Sequence, residues 1–140
     1  MSTQLNETLA RRYRAELCQG QLAVADEILD AAVQGHVNDS LTPEVAPGPE
    51  AIKQVMARYS EAFPDAQYTI EDIVVDDTKA AVRWSARGTH QGALGELAPT
   101  GKSVSVTGMD VYHFHNGRIT DVWTSWDALG MLKQLGLLPL

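Results

Sequence analysis

Cysteine, basic residues and long apolar runs are all scarce in this chain of 140 residues. Cys18 is the only cysteine, so no disulfide can form within the chain. The formal net charge is −7, and such a surface would repel nucleic acid and anionic membranes. No apolar run approaches the roughly 20 residues of a membrane-spanning helix. We therefore expect a neutral or weakly charged small-molecule partner, with no nucleic acid and no membrane.

The length and the N-terminal sequence predict how the chain is organised. A chain of 140 residues with 44% hydrophobic content suits a single domain with one core, which we expect to span residues 1–140. The first residues run into charged positions without the apolar core of a signal peptide. We therefore expect the cytoplasm as the location.

Helical periodicity dominates the first part of the sequence. Leu5, Leu9, Tyr13 and Leu17 recur every four residues among polar residues that include Arg14, and predict an amphipathic first helix that Gly20 ends. A short second helix is predicted over residues 22–29, followed by extended chain. A proline-containing loop over residues 41–49 leads into a third helix, with Pro49 at its first position and Tyr59 in its buried stripe.

After Pro64 the apolar spacing changes from about 3.6 to 2, which indicates strands. Predicted strands include residues 104–114 and 118–126, and a last helix begins near Asp127. Helices before and after a meander of strands predict an α+β fold, with three N-terminal helices, a curved antiparallel sheet and a short C-terminal helix. A sheet that curves around helices can leave a cavity between the two layers, which is the natural binding site.

Asp110 is the leading candidate for a general acid or base. Its neighbours on the same strand face are apolar: Val104, Val106, Tyr112 and Phe114. A carboxylate that faces an apolar layer is costly unless it is paired, and such perturbed groups are candidates for proton transfer. Two alternatives remain open. A neighbouring hydroxyl or indole N–H could satisfy the carboxylate, or a one-residue slip in register could turn it towards solvent.

His90 and the tryptophans are further candidates. His90 shares a strand face with Trp84, and an imidazole near a carboxylate could move protons at neutral pH. Trp84 and Trp123 could stack on a flat ligand. Alternatively, His90 ends its strand and bonds a loop carbonyl, and the tryptophans pack in the core.

Three polar residues could complete the site. Asp127 precedes the last helix, where a catalytic role and an N-cap role are both expected. His36 and Asn38 follow the second helix, where the chain crosses towards the mouth of the predicted pocket, and Asn38 could hydrogen-bond to a ligand.

Signals for a metal site or a covalent nucleophile are weak. His113 and His115 point the same way along their strand, opposite to Asp110, but the spacing places no third ligand. Cys18 has no nearby histidine in sequence. The sequence contains no phosphate-binding loop, dinucleotide fingerprint or nucleophile elbow. We therefore expect no metal and no catalysis through Cys18.

Several short segments carry a family resemblance. They are GPE (48–50), RGTHQG (87–92), PTGK (99–102), NGRI (116–119) and QLG (134–136), together with Trp123 and Asp127. Together these segments resemble the SnoaL-like polyketide cyclases, also called ester cyclases, of the NTF2-like superfamily. The similarity covers nearly the whole chain. The combination of segments is typical of the family as a whole and much less specific for any one reaction.

The resemblance implies an NTF2-like cone with a deep pocket and no cofactor, often dimeric through the exposed sheet. Characterised members close a ring by an intramolecular aldol reaction, with an aspartate that removes a proton beside a carbonyl. In this chain that position is Thr124, which we therefore expect among the substrate-binding residues. The histidine of the preceding strand falls at Asp110, and the asparagine after the second helix matches Asn38. A carboxylate would then have moved from the last strand to the strand before it.

Three functions stay open on the sequence. The first is a cofactor-independent enzyme that cyclises or isomerises a polyketide-like or other carbonyl compound, with Asp110 and His90 in acid/base roles. Asn38 or a tryptophan N–H would stabilise the enolate oxygen by a hydrogen bond. The second is a non-catalytic binding domain in which Asp110 is a paired polar anchor. The third is a hydrolase that activates water with Asp110 and either Asp127 or Asp121.

Overall fold

Four α-helices and a five-stranded sheet make up the computed structural model, which describes residues 2–37, 39, 41–42 and 44–138. The elements are α1 (Ser2–Arg12), a π-helical turn (Tyr13–Leu17), α2 (Val24–Ile28), β1 (Leu29–Val37), α3 (Pro49–Ala62), β2 (Gln67–Val75), β3 (Lys79–Thr89), β4 (Ser103–His115), β5 (Arg118–Trp126) and α4 (Ala128–Gln134). The α+β class is confirmed. Three consecutive N-terminal helices are not found, because β1 separates α2 from α3 and α1 continues into the π-helical turn.

The sheet has the strand order β1-β5-β4-β3-β2. The neighbouring strands from β2 to β5 pair antiparallel, as expected. The edge strand β1 instead runs parallel to β5, so the expectation of a wholly antiparallel sheet is wrong at this edge. A parallel pair needs a long crossover, and the chain between β1 and β5 contains α3 and three strands.

Strand β4 sets the two faces of the sheet. Burial alternates along it, and the side chains at even-numbered positions from Val104 to Phe114 face inwards. The predicted register is therefore confirmed, and Asp110 is fully buried on the inner face. Odd-numbered positions such as Met109 and Val111 face outwards and are exposed.

Helices α1 and α2 cover the inner face of the sheet with apolar side chains. The largest fully buried members of this core include Leu17, Ile28, Leu29, Tyr112 and Ile119. Helix α3 begins at Pro49, as predicted, and contributes Ile52 and Ala62 to the buried layer. Within the ranges that the structure describes, no helix has the length and apolar character needed to cross a membrane.

Candidate active site

An apolar cavity of about 100 Å³ lies between α3, the π-helical turn and the inner face of the sheet. Its polar and aromatic lining residues include Tyr13, Arg14, Cys18, Thr42, Tyr59, Ser60, Phe63, Tyr68, Trp84, Arg87, Thr124 and Trp126. No aspartate, glutamate or histidine is among the lining residues within the described part of the chain. Any charge that the site uses must therefore come from arginine or from groups behind the lining.

Arg14 and Asp110 form a buried ion pair at the edge of this cavity. Arg14 Nε donates to Asp110 Oδ2 at 2.6 Å, and Arg14 Nη2 donates to Oδ1 at 2.7 Å. The Arg14 side chain is 5% exposed and that of Asp110 is fully buried. Arg14 lines the cavity, whereas Asp110 lies behind the lining. The pair is bidentate, which fixes the plane of the guanidinium as well as its position.

Three more donors complete the environment of Asp110. Trp84 Nε1 donates to Oδ1 at 3.2 Å, Thr124 Oγ1 donates to Oδ1 at 2.9 Å, and Tyr112 Oη donates to Oδ2 at 2.6 Å. With Arg14, the carboxylate accepts five hydrogen bonds, although it offers about four lone-pair sites. Asp110 can therefore accept a proton from a ligand only after one of these bonds opens.

Local sequence explains why Arg14 reaches this position. The π-helical turn buries Tyr13, Arg14 and Leu17 together, so an arginine occupies the apolar side of the first helical segment. Its guanidinium carbon lies 4.0 Å from the centroid of the Trp84 ring. Trp84 in turn lies over Gly108, where an added Cβ would come within 2.3 Å of the indole ring. The absence of a side chain at position 108 leaves the space that this indole occupies.

The ionisable side chains around Asp110 have shifted pKa values. Burial is the largest single influence and lowers the pKa of Arg14, but the charge and hydrogen bonds of Asp110, together with Cys18 and Tyr112, outweigh it, so the net pKa is well above its ordinary value. Burial raises the pKa of Tyr13 and of Tyr112 well above the usual range. Burial also raises the pKa of Cys18 to about 12. The Cys18 thiol is therefore protonated at neutral pH, which fits the expectation that it is not a nucleophile.

A second polar group lies along α3 and the loop after β1. Tyr59 Oη lies 3.0 Å from Thr42 Oγ1, and Thr42 Oγ1 donates to Asp39 Oδ2 at 3.1 Å. The indole N–H of Trp126 donates to the same Asp39 oxygen at 2.8 Å. Tyr59, Thr42 and Trp126 line the cavity, whereas Asp39 lies behind them.

Several residues predicted from the sequence do come together at the cavity. Trp84 and Thr124 line it and both donate to Asp110. Asn38 lies outside the residues that the structure describes, so its predicted ligand contact stays a prediction.

His90 lies away from Asp110 and is not among the cavity-lining residues. Its Nδ1 accepts a hydrogen bond from the backbone N–H of Thr100 at 3.2 Å, and its ring stacks on Phe63 at 5.3 Å between centroids. His90 thus follows the end of β3 and anchors the loop before β4, close to the structural alternative considered for it. Phe63, on which His90 stacks, itself lines the cavity.

The remaining predicted residues lie elsewhere in the fold. Asp127 is exposed and accepts a hydrogen bond from the Gly130 N–H at 2.8 Å, so it caps α4. His36 and Trp123 lie on the outer face of the sheet and stack at 4.5 Å between centroids. His36 also contacts Asp121 at 3.2 Å. None of these side chains lines the cavity.

Sequence reasoning missed four polar residues that lie in the cavity lining or directly behind it. It treated Arg14 as part of the polar side of the first helix and Tyr59 as part of a buried stripe, and it did not consider Thr42 or Asp39. Across the residues that the structure describes, no group of three or more potential ligands (histidine, cysteine, aspartate or glutamate) is arranged to hold a metal ion.

The fold and the cavity define the class of protein. A five-stranded sheet curved around helices, with an apolar cavity between the two layers, is a cone-shaped α+β domain of the NTF2-like type. The family model for SnoaL-like polyketide cyclases matches residues 7–135. The chain belongs to the SnoaL-like polyketide cyclase family.

Solved structures agree with this assignment. IdmH from Streptomyces antibioticus is 31% identical, with a TM-score of 0.77, and the match covers 95% of this chain and 99% of IdmH. TsrD from Streptomyces laurentii is 24% identical, with a TM-score of 0.84, over 96% of this chain and 97% of TsrD. A SnoaL-like polyketide cyclase from Agrobacterium tumefaciens is 22% identical, with a TM-score of 0.73, over 94% and 98% of the two chains. No curated protein matches the sequence.

Proposed function

We propose that this chain is a cofactor-independent enzyme that cyclises or isomerises a polyketide-like or other carbonyl compound in the apolar cavity. Arg14 binds and polarises the carbonyl oxygen, and Asp110 holds Arg14 in place. The observation that carries this proposal is that Asp110 fixes the guanidinium of Arg14 in a cavity lined mainly by apolar and aromatic groups. Family membership supports the reaction class.

Arg14 retains donors for a ligand. Its guanidinium has five N–H hydrogens, and two of them bond to Asp110 while a third points at Cys18 Sγ, 3.4 Å from Nη1. One hydrogen on each terminal nitrogen makes no bond within the described part of the chain. A fixed donor in a cavity of low dielectric stabilises developing charge on a carbonyl oxygen without having to reorganise.

Proton removal by Asp110 itself stays a prediction. Its five hydrogen bonds favour the role of a paired polar anchor that positions Arg14, and the cavity meets it only through lining residues such as Thr124 and Trp84. Within the same proposal, Trp84 and Trp126 pack against the flat part of the substrate. A volume of about 100 Å³ suits one ring, so a larger substrate would extend out of the cavity.

The non-catalytic binding domain is the second candidate. One observation favours it, namely the absence of a carboxylate or an imidazole from the described cavity lining. The hydrolase is not proposed further, because the required carboxylates do not converge. Asp110 lies on the inner face, Asp121 contacts His36 on the outer face, and Asp127 caps α4.

A homodimer through the outer face of the sheet is also part of the proposal. Met109 is 53% exposed on this face, and Val111 and Trp123 are also exposed beside it. A second copy that covers these side chains would remove a contiguous apolar patch from water.

The enzyme proposal is tested with paired variants. Wild type, an Arg14→Met/Asp110→Asn double variant and an Arg87→Gln control are mixed with aromatic polyketides, β-keto esters and epoxides. Products are identified by mass spectrometry, and binding is followed by thermal shift. The double variant removes both buried charges together, since one charge left alone would destabilise the fold. Arg87 also lines the cavity but bonds Gln67, so it controls for the loss of any nearby cation.

We expect wild type and the Arg87→Gln control to convert at least one carbonyl compound that the double variant binds but leaves unchanged. Equal conversion by the double variant would refute the role of Arg14. Ligands that all three proteins bind and leave unchanged would favour the binding domain.

A further inference from the structure

Asp39 is a second carboxylate close to the cavity, and its environment differs from that of Asp110. The backbone N–H groups of Leu41 and Thr42 donate to its Oδ1, each at 2.8 Å. The Thr42 hydroxyl and the Trp126 indole donate to its Oδ2. In the part of the chain that the structure describes, no cationic side chain forms an ion pair with Asp39. Among the described residues, its negative charge is therefore stabilised by hydrogen bonds from neutral donors alone.

The direction of the bonds follows from counting hydrogens. An ionised carboxylate can only accept, so the single hydroxyl hydrogen of Thr42 points at Asp39. Thr42 Oγ1 must then act as the acceptor in its 3.0 Å contact with Tyr59 Oη. Tyr59 therefore donates its only hydroxyl hydrogen to Thr42. Its oxygen keeps lone pairs for a donor from elsewhere.

Tyr59 presents this oxygen on the wall of the cavity. Burial raises the pKa of Tyr59 to about 12, so the phenol keeps its proton at neutral pH. The ring of Trp126 packs edge-on against Tyr59 at 5.8 Å between centroids and also holds Asp39 through its N–H. The wall thus carries a neutral hydroxyl that is already committed as a donor and is available only as an acceptor.

We propose that Tyr59 accepts a hydrogen bond from a hydroxyl group of the ligand, and that Thr42 and Asp39 extend this bond into a proton relay. The ligand hydroxyl gives its proton to Tyr59 Oη as the Tyr59 proton moves to Thr42 Oγ1 and the Thr42 proton moves to Asp39 Oδ2. The ligand oxygen keeps the electron pair of the broken O–H bond and becomes an oxyanion. Asp39 becomes neutral, and the two hydroxyl residues end as they began.

This inference rests on the proposed function, since it concerns the same cavity, and it narrows the class of substrate. Arg14 offers donors that suit a carbonyl oxygen, and Tyr59 offers an acceptor that suits a hydroxyl. The cavity therefore fits a compound that carries both groups, such as a hydroxy ketone, an enol or a phenol with a carbonyl substituent. The relay also supplies a base that the described lining lacks.

The test compares the binding of two single-ring probes by isothermal titration calorimetry. 4-Methylphenol carries a hydroxyl, and 4-methylanisole replaces the hydroxyl hydrogen by a methyl group and can only accept. The proteins are wild type, Tyr59→Phe, Thr42→Val and the control Ser60→Ala. Ser60 lines the same cavity from the same helix, but its hydroxyl donates to the Met56 carbonyl.

We expect wild type and Ser60→Ala to bind the phenol more tightly than the ether by roughly five-fold, as for one hydrogen bond. Tyr59→Phe should lose this preference because the acceptor is removed. Thr42→Val should weaken the preference for the phenol. Without the Thr42 oxygen as acceptor, the hydroxyl hydrogen of Tyr59 can be donated to the ether. An unchanged preference in Tyr59→Phe, a wild-type preference for the ether, or no binding of the phenol would each overturn the relay. The binding ratio needs no turnover, so it can fail while the proposed role of Arg14 in catalysis still holds.

Discussion

Arg14 and Asp110 are 96 positions apart in the sequence, yet each explains why the other can be buried. The alternation of β4 was enough to predict that Asp110 faces inwards. Its partner was missed because Arg14 was assigned to the polar side of the first helix. A signal was present, since Arg14 lies four residues after Ala10 and four before Cys18, both of which are buried. A buried carboxylate on one element requires a search for a cation on the apolar side of another.

The ion pair leads to a prediction about stability. Asp110→Asn leaves the Arg14 charge buried without its counter-charge, and should lower the free energy of unfolding by about 3–5 kcal/mol. Arg14→Met/Asp110→Asn should recover much of this loss, because neither charge remains. Urea denaturation monitored by circular dichroism measures both. Equal losses in the single and double variants would show that the charge pair is not what Asp110 contributes.

Cys18 gives a second prediction at the residue scale. Because burial raises the pKa of its thiol to about 12, the thiolate is almost absent at neutral pH in the folded protein. Iodoacetamide should therefore label Cys18 slowly in the native state and rapidly in urea, as followed by intact mass. Rapid labelling of the native protein would contradict the buried position of Cys18.

At the scale of elements, long strands with clear alternation could be predicted, and short or irregular elements could not. Residues 104–114 were predicted as a strand and lie within β4. The chain after residue 29 was predicted only as extended, and its place in the sheet as β1 was not predicted, because β1 does not alternate regularly and its partner β5 is about 90 residues away. The π-helical turn leaves no periodic trace of its own over five residues, although it places Arg14.

A substitution at Gly108 on β4 tests how this strand positions the indole of Trp84 on β3. Gly108→Ala should force Trp84 off Arg14, since the added Cβ would lie within 2.3 Å of the ring. We expect a loss of about 1–3 kcal/mol in unfolding free energy, with a change in tryptophan fluorescence. Thr107→Ala is the matched control, because Thr107 is exposed on the other face of the same strand. Equal stability of the two variants would mean that the indole has room to move.

Two variants of Asp127 distinguish a helix-capping role from a catalytic role at the start of α4. Asp127→Asn retains an oxygen that can accept from the Gly130 N–H, whereas Asp127→Ala does not. We expect Asp127→Ala to lose about 1 kcal/mol in unfolding free energy and Asp127→Asn to stay close to wild type. Turnover per folded molecule should be unchanged in both. A large loss of turnover in the stable Asp127→Asn variant would restore the catalytic interpretation.

At the scale of the whole molecule, the fold followed from the family resemblance and the site did not. The segments that carry the resemblance lie at turns, helix ends and strand ends, and these features define the cone. The cavity lining comes from elements far apart in sequence, so which side chains meet there depends on packing. All five of these residues were predicted at the site, but the structure brings only Trp84 and Thr124 to the cavity and leaves His36, Trp123 and Asp127 outside it.

The outer face of the sheet leads to a prediction about assembly. Val111→Lys places a charge in the exposed apolar patch and should weaken the proposed dimer, because a buried unpaired charge is costly. Leu129→Lys is the control, since Leu129 is 57% exposed but lies on α4 and not on a strand of the sheet. Sedimentation velocity should show a dimer for wild type and for the control, and a monomer for Val111→Lys. A wild-type monomer at micromolar concentration would rule out this interface.

If Arg14 polarises a carbonyl oxygen in the cavity, the infrared stretching frequency of a bound ketone measures this polarisation directly. Acetophenone labelled with carbon-13 at the carbonyl is a suitable single-ring probe. We predict a lower frequency in wild type and in Arg87→Gln than in Arg14→Met/Asp110→Asn, where the frequency should match that in an apolar solvent. The same frequency in all three proteins would contradict this role of Arg14, because the carbonyl would then receive no hydrogen bond from its guanidinium.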